Sequence, residues 1–230
     1  RKKLDPIKRN PYFLSNLSVN NTFLLGSEKI LSELDVSGGG SFWKRLKFGI
    51  SNKFDIDMSW ETFSNSKKDI NLFESQYLSP SAHSARIGGK VLLFGNNLNN
   101  SLNGALRLSL GRKVFSDDWN GYFFSELINS YNVNNNLSFQ FNPKLANTNE
   151  LISGIGVGAD YKITKNFTIK AEHNIALENA ENNTTIALRK SFNESKFLDI
   201  YSSNAYSFID MGQLQRSSSQ KYGLRFGFIF

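Results

Sequence analysis

Two histidines, His83 and His173, are the only imidazoles in the chain, and there is no cysteine, so thiolate and imidazole chemistry have few places to start. His83 is followed by Ser84. Adjacent residues of a strand point to opposite faces, so the two cannot form a serine–histidine dyad. His173 sits among Ile169, Ala171, Ile175 and Leu177 on an apolar face, a poor setting for a general base. Gly154-Ile155-Gly156-Val157-Gly158 looks like a nucleotide loop, but the pattern after it is that of a strand. A phosphate-cradling loop needs a helix N-terminus there. These glycines read instead as inward positions that relieve crowding. Ser37-Gly38-Gly39-Gly40-Ser41 lacks the Gly-Lys-Ser/Thr ending of a P-loop and reads as a loop. No carboxylate constellation or metal-ligand spacing stands out, so the chain is read as non-enzymatic, with no catalytic residue, no metal and no cofactor.

The chemistry that does recur is ionic and falls on alternate positions. One face of the candidate strands carries Arg45, Lys47, Arg86, Lys90, Arg107, Lys144, Lys162, Lys170, Arg189 and Arg225. The same face carries Asp55, Asp57, Glu61, Glu126, Asp160, Glu172 and Asp199. Arg45 and Lys47 are expected beside Asp55 and Asp57, and Asp160 and Lys162 beside Lys170 and Glu172, as cross-strand pairs. A hydrated lumen or an ordinary wet surface would both accommodate them.

The elements that position these charges are strands. Ile155-Val157-Ala159-Tyr161-Ile163 turns through 164–166 into Phe167-Ile169-Ala171-His173-Ile175-Leu177. Leu46-Phe48-Ile50 turns through 51–53 into Phe54-Ile56-Met58-Trp60. Further strands are expected near 83–95, 101–112, 119–132, 135–147, 183–192, 196–206 and 219–230, with a weaker first strand near 12–25. The spacing of Ile30, Leu31, Leu34 and Val36 suggests a short helix at 27–36. The tight turns at 52–53, 133–134, 165 and 193–195 fall on the C-terminal side of the strands. The long connections 26–41, 65–82 and 207–218 fall on the other. Trp43, Trp60 and Trp119 are expected at the long-loop ends, and Phe54, Phe167, Phe192, Phe197 and Phe230 at the opposite ends, as two aromatic levels.

The net charge is +7, with a basic start of Arg1, Lys2, Lys3, Lys8 and Arg9. The other basic residues are scattered among strands rather than clustered with stacking aromatics, so nucleic acid is not expected as a partner. No run approaches the roughly 18 apolar residues of a transmembrane helix. That leaves β-barrels untouched.

The sequence closes on Tyr222-Gly223-Leu224-Arg225-Phe226-Gly227-Phe228-Ile229-Phe230, with Tyr222, Leu224, Phe226, Phe228 and Phe230 on one face. This segment resembles the last strand of Gram-negative outer-membrane β-barrel proteins. The resemblance implies that these five residues form the signal read by the barrel-assembly machinery, and that the C-terminus is periplasmic. Phe141-Asn142-Pro143-Lys144, the run Leu198-Asp199-Ile200-Tyr201-Ser202-Ser203-Asn204-Ala205 and Gly212-Gln213-Leu214 are also similar to a cyanobacterial outer-membrane barrel family with no assigned activity.

The expected fold is all-β: a single transmembrane antiparallel up-and-down barrel of about twelve strands, ten being the alternative. Short turns would be periplasmic and longer loops extracellular. Residues 1–11 form a basic tail and 12–230 the barrel. The expected location is the bacterial outer membrane, with membrane lipids, the assembly machinery and small anionic solutes as partners. The leading function is a narrow, porin-like passive channel. Its pore would be lined by Arg45, Lys47, Asp55, Asp57, Glu61, Arg86, Lys90, Arg107, Lys144, Asp160, Lys162, Lys170, Glu172, Arg189 and Arg225, with a mild anion preference from the basic excess. The alternatives are a closed structural or surface-interaction barrel and an outer-membrane lipid-modifying enzyme.

Overall fold

The computed structural model describes residues 16–38, 41–62, 83–95, 101–114, 121–148 and 150–230. The strands are β1 (Ile30–Ser37), β2 (Ser41–Gly49), β3 (Phe54–Thr62), β4 (His83–Phe94), β5 (Ser101–Val114) and β6 (Gly121–Asn132). They continue as β7 (Leu137–Asn147), β8 (Leu151–Lys162), β9 (Phe167–Glu178), β10 (Asn183–Asn193), β11 (Lys196–Ala205) and β12 (Arg216–Ile229). Each pairs antiparallel with its sequence neighbours, and β1 pairs with β12, closing a twelve-strand barrel. At this seam Leu31 faces Ile229 and Ser37 faces Gly223. The Ile30 amide donates to the Phe230 carbonyl (3.2 Å) and the Phe230 amide to the Ile30 carbonyl (2.8 Å).

The short connections at the Phe230 end are built by Asn and Thr side chains that satisfy turn amides. Asn134 Oδ1 accepts from the amides of Asn136 (2.8 Å) and Leu137 (2.9 Å). Thr164 Oγ1 accepts from Asn166 and Phe167 (3.2 Å each). The described connections 50–53, 133–136, 163–166 and 194–195 all lie at this end, while 179–182 and 206–215 lie at the other.

Two sequence expectations are corrected. Residues 16–25 contain no strand; this segment lies inside the barrel, buried along nearly its whole length. The helix expected at 27–36 is instead β1, so 26–41 is not a long loop and only 38–40 connects β1 to β2. The helical spacing misled because Ile30 and Leu31 are adjacent. The deciding pattern is Leu31, Glu33 and Asp35 facing inward, each buried, between Ser32, Leu34 and Val36.

The outer face is apolar. Ile87, Leu108, Leu110, Leu127, Phe141, Ile169, Ile186, Leu188, Ile200 and Leu224 are all exposed on it. Phe54, Phe167, Phe192 and Phe230 stand outward at the Phe230 end, and Phe42, Trp60 and Phe123 outward at the opposite end. Trp43 and Phe197 depart from the expected aromatic levels: both are buried inside. Trp43 lies beneath the Arg45 guanidinium, 5.5 Å from its ring centroid, and Phe197 lies 3.8 Å from that of Arg189. Trp119 and the stretch 65–82 lie outside the described residues.

Candidate functional site: the occluded lumen

Strand alternation sends every second side chain of the wall into the interior. There the structure places Arg45, Lys47, Asp55, Asp57, Glu61, Arg86, Lys90, Arg107, Lys144, Asp160, Lys170, Glu172, Arg189 and Arg225, all buried. Lys162 is only half-buried, at the end of β8. The five C-terminal residues Tyr222, Leu224, Phe226, Phe228 and Phe230 lie on the outer face of the seam; Tyr222 and Phe230 are the most exposed of them.

The ion pairs are partly those expected. Lys170 Nζ meets Asp160 Oδ1 at 3.0 Å, directly across β8–β9. Lys47 faces Asp57 in register across β2–β3, but Asp57 is held by Arg86 from β4. Arg45 turns the other way, to Glu33 on β1 (Nε–Oε2 2.6 Å). Asp199 accepts from Arg189 Nε (2.6 Å) and Nη2 (2.8 Å), and from Arg225 Nε (2.9 Å). Asp35 accepts the Tyr201 hydroxyl at 2.8 Å.

Two chain segments fill the space between these groups. Residues 16–25 run through the lumen as irregular chain with bends at Leu17–Val19 and Thr22, held mainly through the backbone. Glu172 accepts the amides of Leu17 (2.9 Å), Ser18 and Val19 (2.9 Å) together with the Ser18 hydroxyl (2.9 Å). Ser130 Oγ accepts from the Thr22 amide (3.1 Å), and Asp55 Oδ2 from the Leu25 amide (2.9 Å). Lys90 donates to the carbonyls of Asn21 (3.1 Å) and Phe23, Lys144 to that of Ser18, and Arg225 to that of Asn16 (2.7 Å). The interior charges thus serve as main-chain partners for a strapping peptide, which is why several look unpaired within the wall.

The second segment is the β11–β12 connection, 206–215, which folds inward with a 3-10 turn at Asp210–Leu214. Met211 and Leu214 pack with Phe124, Ala146 and Ile152. Phe208 and Ile209 join Leu17, Trp43, Ala187, Tyr201 and Ala205. Lys144 ties both segments together, donating to Ser18 of the first and to Gln213 Oε1 (2.8 Å) of the second. The glycines of β8 make the room. A Cβ on Gly154 would meet Leu214 Cδ2 at 2.7 Å, and one on Gly156 would meet Cε of Lys144, the residue that ties the two segments, at 2.9 Å.

Asp210 is the centre of the inward loop. Arg107 Nη2 donates to its Oδ1, and Arg86 Nη1 stands 3.5 Å from the same oxygen. Its Oδ2 accepts from Ser109 Oγ (2.6 Å) and the Tyr122 hydroxyl (3.3 Å). Burial pushes the carboxyl pKa up, but Arg107, Arg86 and the Ser109 hydrogen bond outweigh it and hold the group below the usual carboxylate range.

Glu33, Asp35 and Asp210 are interior groups that sequence reasoning missed, the first two because β1 was read as a helix. With them, the described residues bury ten carboxylates against nine cations. The positive excess expected of the lining therefore does not hold for the occluded lumen as a whole. Phe208, Ile209, Met211 and Leu214, apolar residues in a supposed external loop, were the available signal that it folds inward. His173 lies on the outer face, its Nδ1 2.8 Å from Thr184 Oγ1. His83 and Ser84 are consecutive in β4 and so face opposite sides of the wall.

A closed antiparallel barrel, apolar outside and ionic inside, is the architecture of outer-membrane β-barrels. Solved structures agree. A KdgM porin in complex with disordered oligogalacturonate superposes with a TM-score of 0.64 at 12% identity, covering 88% of this chain and 99% of that one. A structure of the KdgM porin alone gives 0.63 at 11%, with 88% and 99% covered. Acinetobacter baumannii outer membrane protein Omp33 gives 0.52 at 9%, with 88% and 97% covered. At such identities the likeness is one of fold. No family model matches the chain, and no curated protein does.

Proposed function

We propose that the protein is an outer-membrane barrel of porin-like type, a narrow passive path for small solutes held shut in this conformation by residues 16–25 and 206–215. The observation that carries the reading is the division of the wall into an apolar exterior and a charged interior, whose ion pairs and main-chain hydrogen bonds are interrupted only by separate small apolar clusters. A barrel needing only mechanical stability would gain as much from an apolar interior, since buried ion pairs are seldom better than well-packed hydrocarbon. Anion preference belongs here to a local feature, the Arg86–Arg107 pair, since the interior charges otherwise nearly balance. The likeness to a porin fold supports the reading, as does the apolar belt for membrane lipids and the outward C-terminal stripe for the assembly machinery.

The filled lumen favours a second reading, a permanently closed scaffold with exposed loops as contact surfaces. Planar-bilayer recording of the purified barrel separates the two. The channel reading expects discrete openings whose frequency rises when the occluding segments are weakened, with a reversal potential displaced toward anions. Silence of the wild type and of every folded variant with weakened segments means a scaffold.

A further inference from the structure

The geometry points to a binding site for a carboxylate-bearing solute formed by Arg86, Arg107, Ser109 and Tyr122, in which Asp210 is a tethered stand-in for the ligand. The site deepens the channel reading and rests on it, because a free solute reaches these residues only when the loop 206–215 withdraws.

Three observations carry the assignment. The first is convergence: side chains of three adjacent strands, β4, β5 and β6, aim donors at one carboxylate that none of those strands supplies. Guanidinium nitrogens take one oxygen of Asp210 and hydroxyls the other. A planar two-oxygen anion fits this division of donors better than a spherical halide. The second is surplus. Among the described residues, Arg86 Nε and Arg107 Nη1 are buried without a hydrogen-bond partner, on residues only 6% and 4% exposed. Buried donors are rarely left so. The site therefore offers more donors than the single aspartate uses, as a bulkier anion with further oxygens would need. The third is preorganisation. Asp57 grips Arg86 Nη2 and lies 3.9 Å from Arg107 Nη2, while Arg107 stacks 5.5 Å from the Phe124 ring centroid. The Asp57 contacts are made within the wall, so they remain available to both guanidinium groups when Asp210 leaves. Asp57 then neutralises only one of them, which leaves a local positive charge.

Asp210 itself adopts a left-handed backbone (φ 45°), which Asn and Gly accept better than other residues. The full-length Asp210→Asn and Asp210→Gly variants are therefore expected to fold, as heat-modifiable gel migration will report. Acetate is the probe, titrated by calorimetry into the detergent-solubilised barrel. The wild type, its site occupied, should give no saturable heat. Both Asp210 variants should bind acetate saturably, and adding Arg107→Gln should weaken that binding about tenfold or more, the loss of one charge-assisted pairing. Folded Asp210 variants that take up no acetate, or that bind it equally with and without Arg107, overturn the site. Bilayer recording separates the two proposals. Conduction by the Asp210 variants without acetate binding sinks the site and keeps the channel. Acetate binding with electrical silence keeps the site and sinks the channel.

Discussion

The clearest handle on the strapping segment is Glu172, so Glu172→Gln is the most informative single change. Its Oε1 accepts the Leu17 amide, and its Oε2 accepts the Ser18 amide, the Ser18 hydroxyl and the Val19 amide, all on a side chain that is buried. Glutamine retains one acceptor oxygen. Placed at the Oε2 position it keeps three bonds but turns its NH2 toward the Leu17 amide, donor against donor. Each retained bond drops from the charge-assisted to the neutral range, about 1 kcal/mol apiece, and stranding a buried amide adds roughly 1 kcal/mol more. The total is about 3–4 kcal/mol. At about 1.4 kcal/mol per tenfold, docking of residues 16–19 weakens by roughly 100- to 1000-fold. Amide hydrogen exchange at Leu17, Ser18 and Val19 should lose protection by that factor, while β8 and β9 amides keep theirs. Unchanged exchange at these three amides in a folded variant would refute the idea that Glu172 anchors the strap.

Three other outcomes are expected. Because the Asp210 pKa is depressed, its contribution to loop docking is complete above the ordinary carboxylate value of about 4 and fades as pH falls through its own lower value. The Asp210 share of closure should thus be lost only in acid below about pH 4, and Asp210→Asn should lack that acid component in bilayer recordings. Leu188→Arg, a charge at the centre of β10 on the exposed outer face, should cost about 2–4 kcal/mol in denaturant titration in lipid vesicles; a loss under 1 kcal/mol would argue against lipid contact there. Asp199→Ala leaves Arg189 and Arg225 buried without their shared carboxylate. About 3–5 kcal/mol of barrel stability should go with it, read in the same titration.

The wall was legible in the sequence because a two-residue period repeats from Arg45 to Arg225, and each hairpin announces itself by Asn, Ser or Thr at the turn. Strand count came out as twelve for a partly mistaken reason: the segment near 12–25 was counted where Ile30–Ser37 belongs. Alternation is a signal of one-sided burial, and residues 16–25 are buried on all sides, so Leu17, Val19, Phe23, Leu24 and Leu25 follow no period. The inward orientation of the ionic face was legible, but the partners were not. Register decides which charges meet, and it set Arg45 against Ser59 rather than an aspartate. The inward course of 206–215 had a signal in Phe208, Ile209, Met211 and Leu214, but nothing local shows which cations Asp210 meets there. Phe197 was mistaken for an outward ring because aromatic identity alone does not reveal the glycine, Gly227, over which it lies.

The joint between Ile30 and Phe230 has a consequence for how the molecule comes into being. The two strands that meet there are the most distant in the sequence, so until β12 is laid down the sheet is an open ribbon with two free edges. The strap and the re-entrant loop must occupy the hollow before that ribbon is zipped, or else squeeze past a finished rim. Both segments precede β12 in the chain, so both are already made when the last edge is joined.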